Sequence, residues 1–471
     1  MNKAFLVLSF YFLFNISFGQ ESKDFNVVII HVDDLGWADI EPLGSDFYET
    51  PNINQLASEG VLFTNSYAAA AICSPTRAAM LTGKYPARLG ITDWIRAKFQ
   101  GVTTSGEPGE YEVFEDKTLK TPKIQGFLPL EEVTIAERMK SYGYATMHVG
   151  KWHLGEEGYY PTDQGFDVNV GGNDLGQPPS YFDPYLPEKP RNFYEITTLK
   201  PRKKGEFLTD REGDEVVDFI RGKKDEKFFI HWAPYAVHTP IMGKAELVEK
   251  YKQKEPGNQR NPTYAALVES VDQNVGKVMQ ELDKLGLREN TLVVFTSDNG
   301  GLIGNYENPI TNNYPLKSQK GYPYEGGIRI PTIVSWPGVL PEGVINENPI
   351  ITMDWIPTIL DFMGENTDQE GLEGVSLKSI LKNPTETLER DLFWHFPHYR
   401  LDDIVPYAII RSGNYKLIHY FDGSQDELYN LDFDMEEKVN VISTRKPIAD
   451  QLQVKLEKWL KDTGARLPVV K

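Results

Sequence analysis

The chain has a single cysteine, Cys73, in 471 residues. One thiol excludes an internal disulfide, and no Cys or His cluster at zinc-site spacing stands anywhere in the sequence. Positive charge is also short: 49 Lys and Arg face 68 Asp and Glu, a formal −19. That balance argues against nucleic acid or an anionic membrane surface as a partner. Past Phe14 no apolar run is long enough to cross a bilayer. There is no internal repeat and no low-complexity tract. What remains, with 40% hydrophobic and 12% aromatic residues, is enough for a large core and a smaller second unit.

Residues 1–19 read as an export signal. Lys3 gives the positive start, Ala4 to Phe14 form the apolar run, and the small residues Ser17 and Gly19 predict cleavage before Gln20. No cysteine stands at that junction, so a lipid anchor is not expected, and the destination is the periplasm or the medium. In such a compartment a free thiol tends to be oxidised. An isolated Cys73 therefore calls for a chemical reason. Ser74 is a good N-cap and Pro75 suits a first helical position, Arg77 to Leu81 favour helix, and Gly83 can close it. This predicts Cys73 just ahead of a helix N-terminus, where free N–H groups and the helix dipole favour an anion, with Arg77 one turn on.

Four other segments share one placement: each follows a run that reads as a strand buried on both faces of a parallel sheet. Asn26 to Val32 ends at Asp33-Asp34, and Tyr144 to Val149 ends at Gly150-Lys151-Trp152-His153. Lys227 to Trp232 leads to His238, and Thr291 to Phe295 ends at Asp298-Asn299-Gly300. His231, inside its strand, reads as a core histidine. Carboxyl ends of strands in an open parallel sheet gather on one edge, where ligands bind. Asp33 and Asp34, adjacent at the end of a buried strand, repel each other unless a cation or a donor stands between them, and a solvated turn is the competing reading. Asp298-Asn299-Gly300 taken alone is ordinary turn chemistry. The clearest helix is Thr263 to Leu285, with Leu267, Val271, Val275, Val278 and Leu282 on one face.

Cys73-Ser74-Pro75-Thr76-Arg77 followed by Leu81-Thr82-Gly83, together with the Lys151/His153 hexapeptide, resembles the signatures of type I sulfatases, within the alkaline-phosphatase-like superfamily. The matching motifs cover roughly residues 25–340. The resemblance implies an α/β fold: a large, mostly parallel sheet flanked by helices, plus a small C-terminal antiparallel sheet with a helix. It implies that Cys73 is oxidised to Cα-formylglycine by a maturation enzyme, its hydrated aldehyde being the nucleophile. It implies a divalent metal on Asp33, Asp34, Asp298, Asn299 and residue 73, and the four hard oxygen-bearing side chains suit Ca²⁺, then Mg²⁺, over softer metals. Arg77 and Lys151 would hold the hydrate, and His238 and Lys320 would grip the sulfate, one of them protonating the leaving alcohol. His153 would take a proton from the second hydroxyl. Lys317 is a nearby second candidate for the position of Lys320.

The implied activity is hydrolysis of sulfate esters, with a sulfated carbohydrate, algal or host polysaccharide or its oligosaccharides, as the expected substrate. A phosphate- or phosphonate-ester hydrolase of the same superfamily and a catalytically silent binder of sulfated glycans are the competing readings. Gly101 to Phe127 reads as a loop at the rim, or as a plain solvated insertion. Trp94, Arg96, His398 and Arg400 are the candidates for substrate contact, against a packed aromatic hairpin for the last two. Residues 20–365 are expected to form the catalytic domain and 366–471 the C-terminal subdomain.

Overall fold

The computed structural model describes residues 24–101, 109–368, 371–400 and 404–471; the export-signal reading lies outside them. Eight strands form the main sheet: β1 Asn26–Val32, β2 Gly60–Phe63, β3 Ala145–Gly150, β4 Val168–Val170, β5 Phe228–Ala233, β6 Thr291–Ser297, β7 Thr332–Ser335 and β8 Val344–Asn346. Their order across the sheet is β8-β2-β7-β6-β1-β5-β3-β4. All run parallel except β7, which opposes both β6 and β2.

The apolar runs are continuous because both faces are covered. Val28, Ile30 and Val32 of β1 pack into the core formed with Leu267, Val271, Val275, Val278 and Leu282 of the helix Pro262–Lys284. Val27 and Ile29 face the other way, into the core shared with Ile356, Ile359 and Leu360 of the helix Trp355–Met363. Asn261 caps the long helix by accepting from the Thr263 and Tyr264 N–H groups.

Four later strands, β9 Asp391–Phe396, β10 Tyr407–Ser412, β11 Tyr415–Tyr420 and β12 Glu427–Asn430, form an antiparallel sheet in chain order. The helix Lys446–Asp462 lays Ala449, Leu452, Leu456 and Leu460 on Ala408, Ile410, Leu417 and Leu428 of this sheet. Part of the expected rim loop does something else. Leu119–Pro122 pairs with Tyr111–Glu112 on one side and with Val469–Val470 near the chain end on the other.

The helix after the lone cysteine begins two residues earlier than expected. It spans Cys73–Thr82, with Ile72 in the cap position and Gly83 closing it in the left-handed conformation (φ 72°). Ser74 is not the cap. Its hydroxyl is drawn into tertiary structure instead, donating to the His153 carbonyl and accepting from the Ile95 N–H. Pro75 thereby sits at the third helical position, where its missing N–H still costs no intrahelical bond.

Candidate active site

The strand ends deliver their charged residues to one edge of the sheet. Lys151, next after β3, donates to both Asp33 carboxylate oxygens at 2.8 Å. Arg77, one turn into the cysteine helix, donates from Nε to Asp298 Oδ2 at 2.9 Å and from Nη1 to the Lys151 carbonyl at 2.9 Å. Lys320 Nζ lies 2.5 Å from Asp34 Oδ1, which also accepts from Asn299 Nδ2 at 2.9 Å. Asp298 Oδ1 accepts from the Asp34 N–H at 3.1 Å. That contact ties the β1 and β6 turns together and helps hold Asp34 in its unusual positive-φ conformation (61°). All of these charged groups are buried.

Three carboxylates and three cations are thus formally balanced inside the protein. Burial alone would raise the Asp298 carboxyl, but Arg77 and Lys151 hold it well below the usual carboxylate range. The Lys320 ammonium, which burial would weaken, is held above its ordinary range by Asp34.

Two oxygens in this cup are buried without a hydrogen-bond partner, Asp34 Oδ2 and Asn299 Oδ1. His238 turns Nε2 toward that same Asp34 Oδ2, 3.5 Å away. Its Nδ1 lies 2.9 Å from the Thr239 carbonyl oxygen, which can only accept, so the proton belongs on Nδ1. A lone pair on Nε2 therefore faces a carboxylate oxygen. Two acceptors so placed, with orphaned oxygens beside them, fit a bound cation. Donor atoms of Asp33, Asp34, Cys73 and His238 lie within 4.8 Å of one another, a possible metal site. Both Asp298 oxygens already accept hydrogen bonds, and each keeps lone-pair capacity for a metal.

Cys73, His153, His238 and Lys320 line one cavity of about 210 Å³, and Trp94 and Arg400 stand in its wall. Cys73 is buried, and burial pushes its thiol up, so it would be a poor thiolate nucleophile. His153 Nε2 lies 2.8 Å from the Ile95 carbonyl oxygen, so Nε2 carries the proton and Nδ1 is a buried, unpartnered lone pair. Burial and Lys151 hold the ring well below the usual histidine range, hence neutral. Gly176 makes room for it: a Cβ there would come within 2.6 Å of the ring.

A sequence profile of the Sulfatase family matches residues 25–365. The chain belongs to the sulfatase family. It is a sulfuric ester hydrolase. A second profile, N-sulphoglucosamine sulphohydrolase, C-terminal, matches residues 318–465 of this sulfatase. A sulfatase from Formosa agariphila is 31% identical, with 92% of this chain and 88% of that one covered. Human arylsulfatase A is 31% identical over 85% of this chain and 75% of its own. Mouse N-acetylgalactosamine-6-sulfatase is 32% identical over 79% and 68%. Among solved structures, Ps i-CgsB in complex with k-i-k-neocarrahexaose superposes with a TM-score of 0.77 at 28% identity, covering 93% of each chain.

The sulfatase brings together Asp33, Asp34, Cys73, Arg77, Lys151, His153, His238, Asp298, Asn299 and Lys320. Lys317 is elsewhere: its ammonium lies over the Tyr324 ring and bonds Tyr429 and the Glu437 carbonyl. The candidate substrate contacts divide. Trp94 and Arg400 face the cavity, and Arg96 lies on Trp94. His398 is buried, bonded through Nε2 to Thr92 Oγ1 at 2.8 Å, and is not part of the cavity lining. Sequence reading missed Phe99, Gln100 and Gln177, which also line the cavity. They stand in irregular segments with no periodic signal; only the aromatic and amide side chains in loops near Trp94 hint at them. His231 is indeed a core residue, bonded to His31 at 3.3 Å and to His148 at 3.1 Å.

Proposed function

We propose that this sulfatase removes sulfate esters from a carbohydrate, with a formylglycine made from Cys73 by a maturation enzyme and a bound Ca²⁺. The observation that carries the reading is the buried cup in which Cys73 shares a cavity with His153, His238 and Lys320, above orphaned oxygens of Asp34 and Asn299. Asp33, Asp34, Asp298 and Asn299, with residue 73, would hold the ion. These are oxygen donors, which favour Ca²⁺ ahead of Mg²⁺. The cation would polarise a sulfate oxygen and turn a charge-balanced cup into a net positive one. That resolves how a chain of formal charge −19 attracts an anionic ester. The formylglycine hydrate, when present, supplies an oxygen nucleophile and a second hydroxyl.

The chain's own groups divide the remaining work. Arg77 and Lys151 fix Asp298 and Asp33 and place positive charge beside residue 73. His153 accepts a proton at Nδ1. Lys320, which keeps its protons, binds the sulfate and is our choice to protonate the departing alcohol, since His238 holds its own proton on Thr239. Support for a carbohydrate substrate comes from the relatives: one is named for N-acetylgalactosamine and another was solved with k-i-k-neocarrahexaose.

We further propose export, with cleavage before Gln20, and a division into a catalytic domain, residues 20–365, and a C-terminal subdomain, residues 366–471. Among the described residues no helix is long and apolar enough to cross a membrane. The test of the whole reading is sulfate release from a panel of defined sulfated oligosaccharides, beside matched phosphate esters. Release from sulfated sugars at rates far above the phosphate esters supports it; the reverse order overturns it.

A further inference from the structure

Beside the catalytic cavity lies a second hollow of about 420 Å³, lined by Arg96, Phe99, Gln100 and Arg191. Phe99 and Gln100 line both spaces, so the two are neighbours across one short segment. The second hollow is unusually cationic for an acidic protein. The Arg96 guanidinium lies 3.6 Å over the Trp94 ring, and the Arg191 guanidinium 4.5 Å over Phe99. Arg191 also donates to the Phe99 carbonyl at 3.3 Å. Aromatic faces hold both heads in place and leave N–H edges free.

Arg96 makes no ion pair among the described residues, and its Nε is buried without a partner. Two acids stand near Arg96, Asp93 and Glu112; Asp93 Oδ1 is 3.9 Å from Arg400 Nη1, both atoms lacking a hydrogen-bond partner. Neither carboxylate pairs directly with Arg96, and Asp93 is shared with Arg400. The buried Arg96 Nε–H, left without an acceptor, is costly unless a ligand supplies one, while the exposed Arg191 head is free to turn toward the same ligand. A guanidinium fork matches sulfate or carboxylate in two-point fashion.

We propose that this hollow binds a second anionic group of the substrate, a sulfate ester or carboxylate on the sugar adjoining the one being desulfated, through Arg96 and Arg191. The inference rests on the carbohydrate-sulfatase reading above and narrows it to multiply anionic chains.

The test compares disaccharides that share one scissile sulfate. One carries no other charge, one a second sulfate on the adjoining sugar, and one a carboxylate there. Charge-assisted hydrogen bonds at a half-exposed site predict a preference of about tenfold in kcat/KM for a doubly anionic substrate at low salt. That ratio should fall toward one in Arg96→Gln and in Arg191→Gln, with Arg96→Lys between, and should fall with added salt in the wild type. Whichever of the two doubly charged substrates gains identifies the group. Arg191 is exposed, so its variant reads the hollow even if Arg96→Gln fails to fold. Calorimetric binding of the same sugars to Cys73→Ala reads the ratio without turnover. A binding preference in a protein whose wild type cleaves none of them would sink the enzymatic reading and keep the hollow. A ratio near one for both doubly charged sugars, or a preference untouched by both variants, overturns the proposal.

Discussion

His153 donates its Nε2 hydrogen to the Ile95 carbonyl oxygen, 2.8 Å away, and keeps Nδ1 unpartnered, while the residue lines the cavity that holds Cys73. The orientation fixes the tautomer and with it the direction of proton flow. His153→Asn should lower kcat by about 10² to 10⁴, the range for loss of a positioned base. Because burial holds the ring well below the usual histidine range, the neutral base persists in mild acid. The acid limb of the kcat/KM profile should therefore lie below the ordinary histidine range of about 6.5. A limb centred on that ordinary value would contradict the assignment.

Cys73→Ser should bind sulfated substrate and turn it over little or not at all. A serine alcohol lacks the second hydroxyl, so a sulfate ester formed on it has no easy way to break down. Steady-state sulfate release measured against wild type is the check, and robust turnover would remove Cys73 from its role.

Chelation should cut activity and lower the thermal midpoint together, because the ion would neutralise oxygens that are otherwise orphaned at Asp34 and Asn299. Re-addition of Ca²⁺ should restore both better than Zn²⁺ does, given the oxygen-rich donor set. Asp34→Asn should weaken the metal response while leaving the core, which it does not pack, intact.

A buried ionic knot joins the antiparallel sheet to the short helix Glu325–Ile328. Lys416 of β11 donates to Glu325 at 3.0 Å and to Glu437 at 2.8 Å, and the Glu325 N–H donates to Glu437 at 2.7 Å. Burial, with Glu325 adding to it, pushes Glu437 up to about 7, while Lys416 and Arg329 overcome burial to bring Glu325 down to about 2. For Glu437 the folded state binds the proton more tightly, so its contribution is complete below about 4.5 and is lost as pH rises through 7. Glu325 works in the opposite window, contributing above about 4.5 and losing that as pH falls toward 2. Unfolding free energy should therefore decline between about pH 4.5 and pH 7, by an amount on the order of 1–3 kcal/mol, and the decline should flatten in Glu437→Gln. Lys416→Met should cost about 3–5 kcal/mol by stranding two buried carboxylates.

Much of this architecture was legible in the chain because parallel strands buried on both faces are continuous apolar runs. Asn26–Val32 and Thr291–Ser297 announce themselves that way, and the charged residues that follow them had to meet at one edge. Ser74 shows where local chemistry misleads: a good cap residue was claimed by His153 and Ile95, partners distant in sequence. The reversed direction of β7 and the bond from His398 to Thr92 likewise depend on tertiary context that no periodicity encodes. The knot of Lys416, Glu325 and Glu437 links residues whose separation hides their pairing. Phe99, Gln100 and Gln177 reach the cavity from loops, where position follows from packing and not from pattern.

The central claim is that residue 73 is not a thiol in the working enzyme. Mass spectrometry of the peptide spanning Cys73, from protein purified out of its own host and active on a sulfate ester, tests it directly. The account predicts a peptide lightened by exchange of H₂S for oxygen, with an aldehyde that reacts with hydrazide reagents. A fully active preparation carrying an unaltered cysteine there would contradict it.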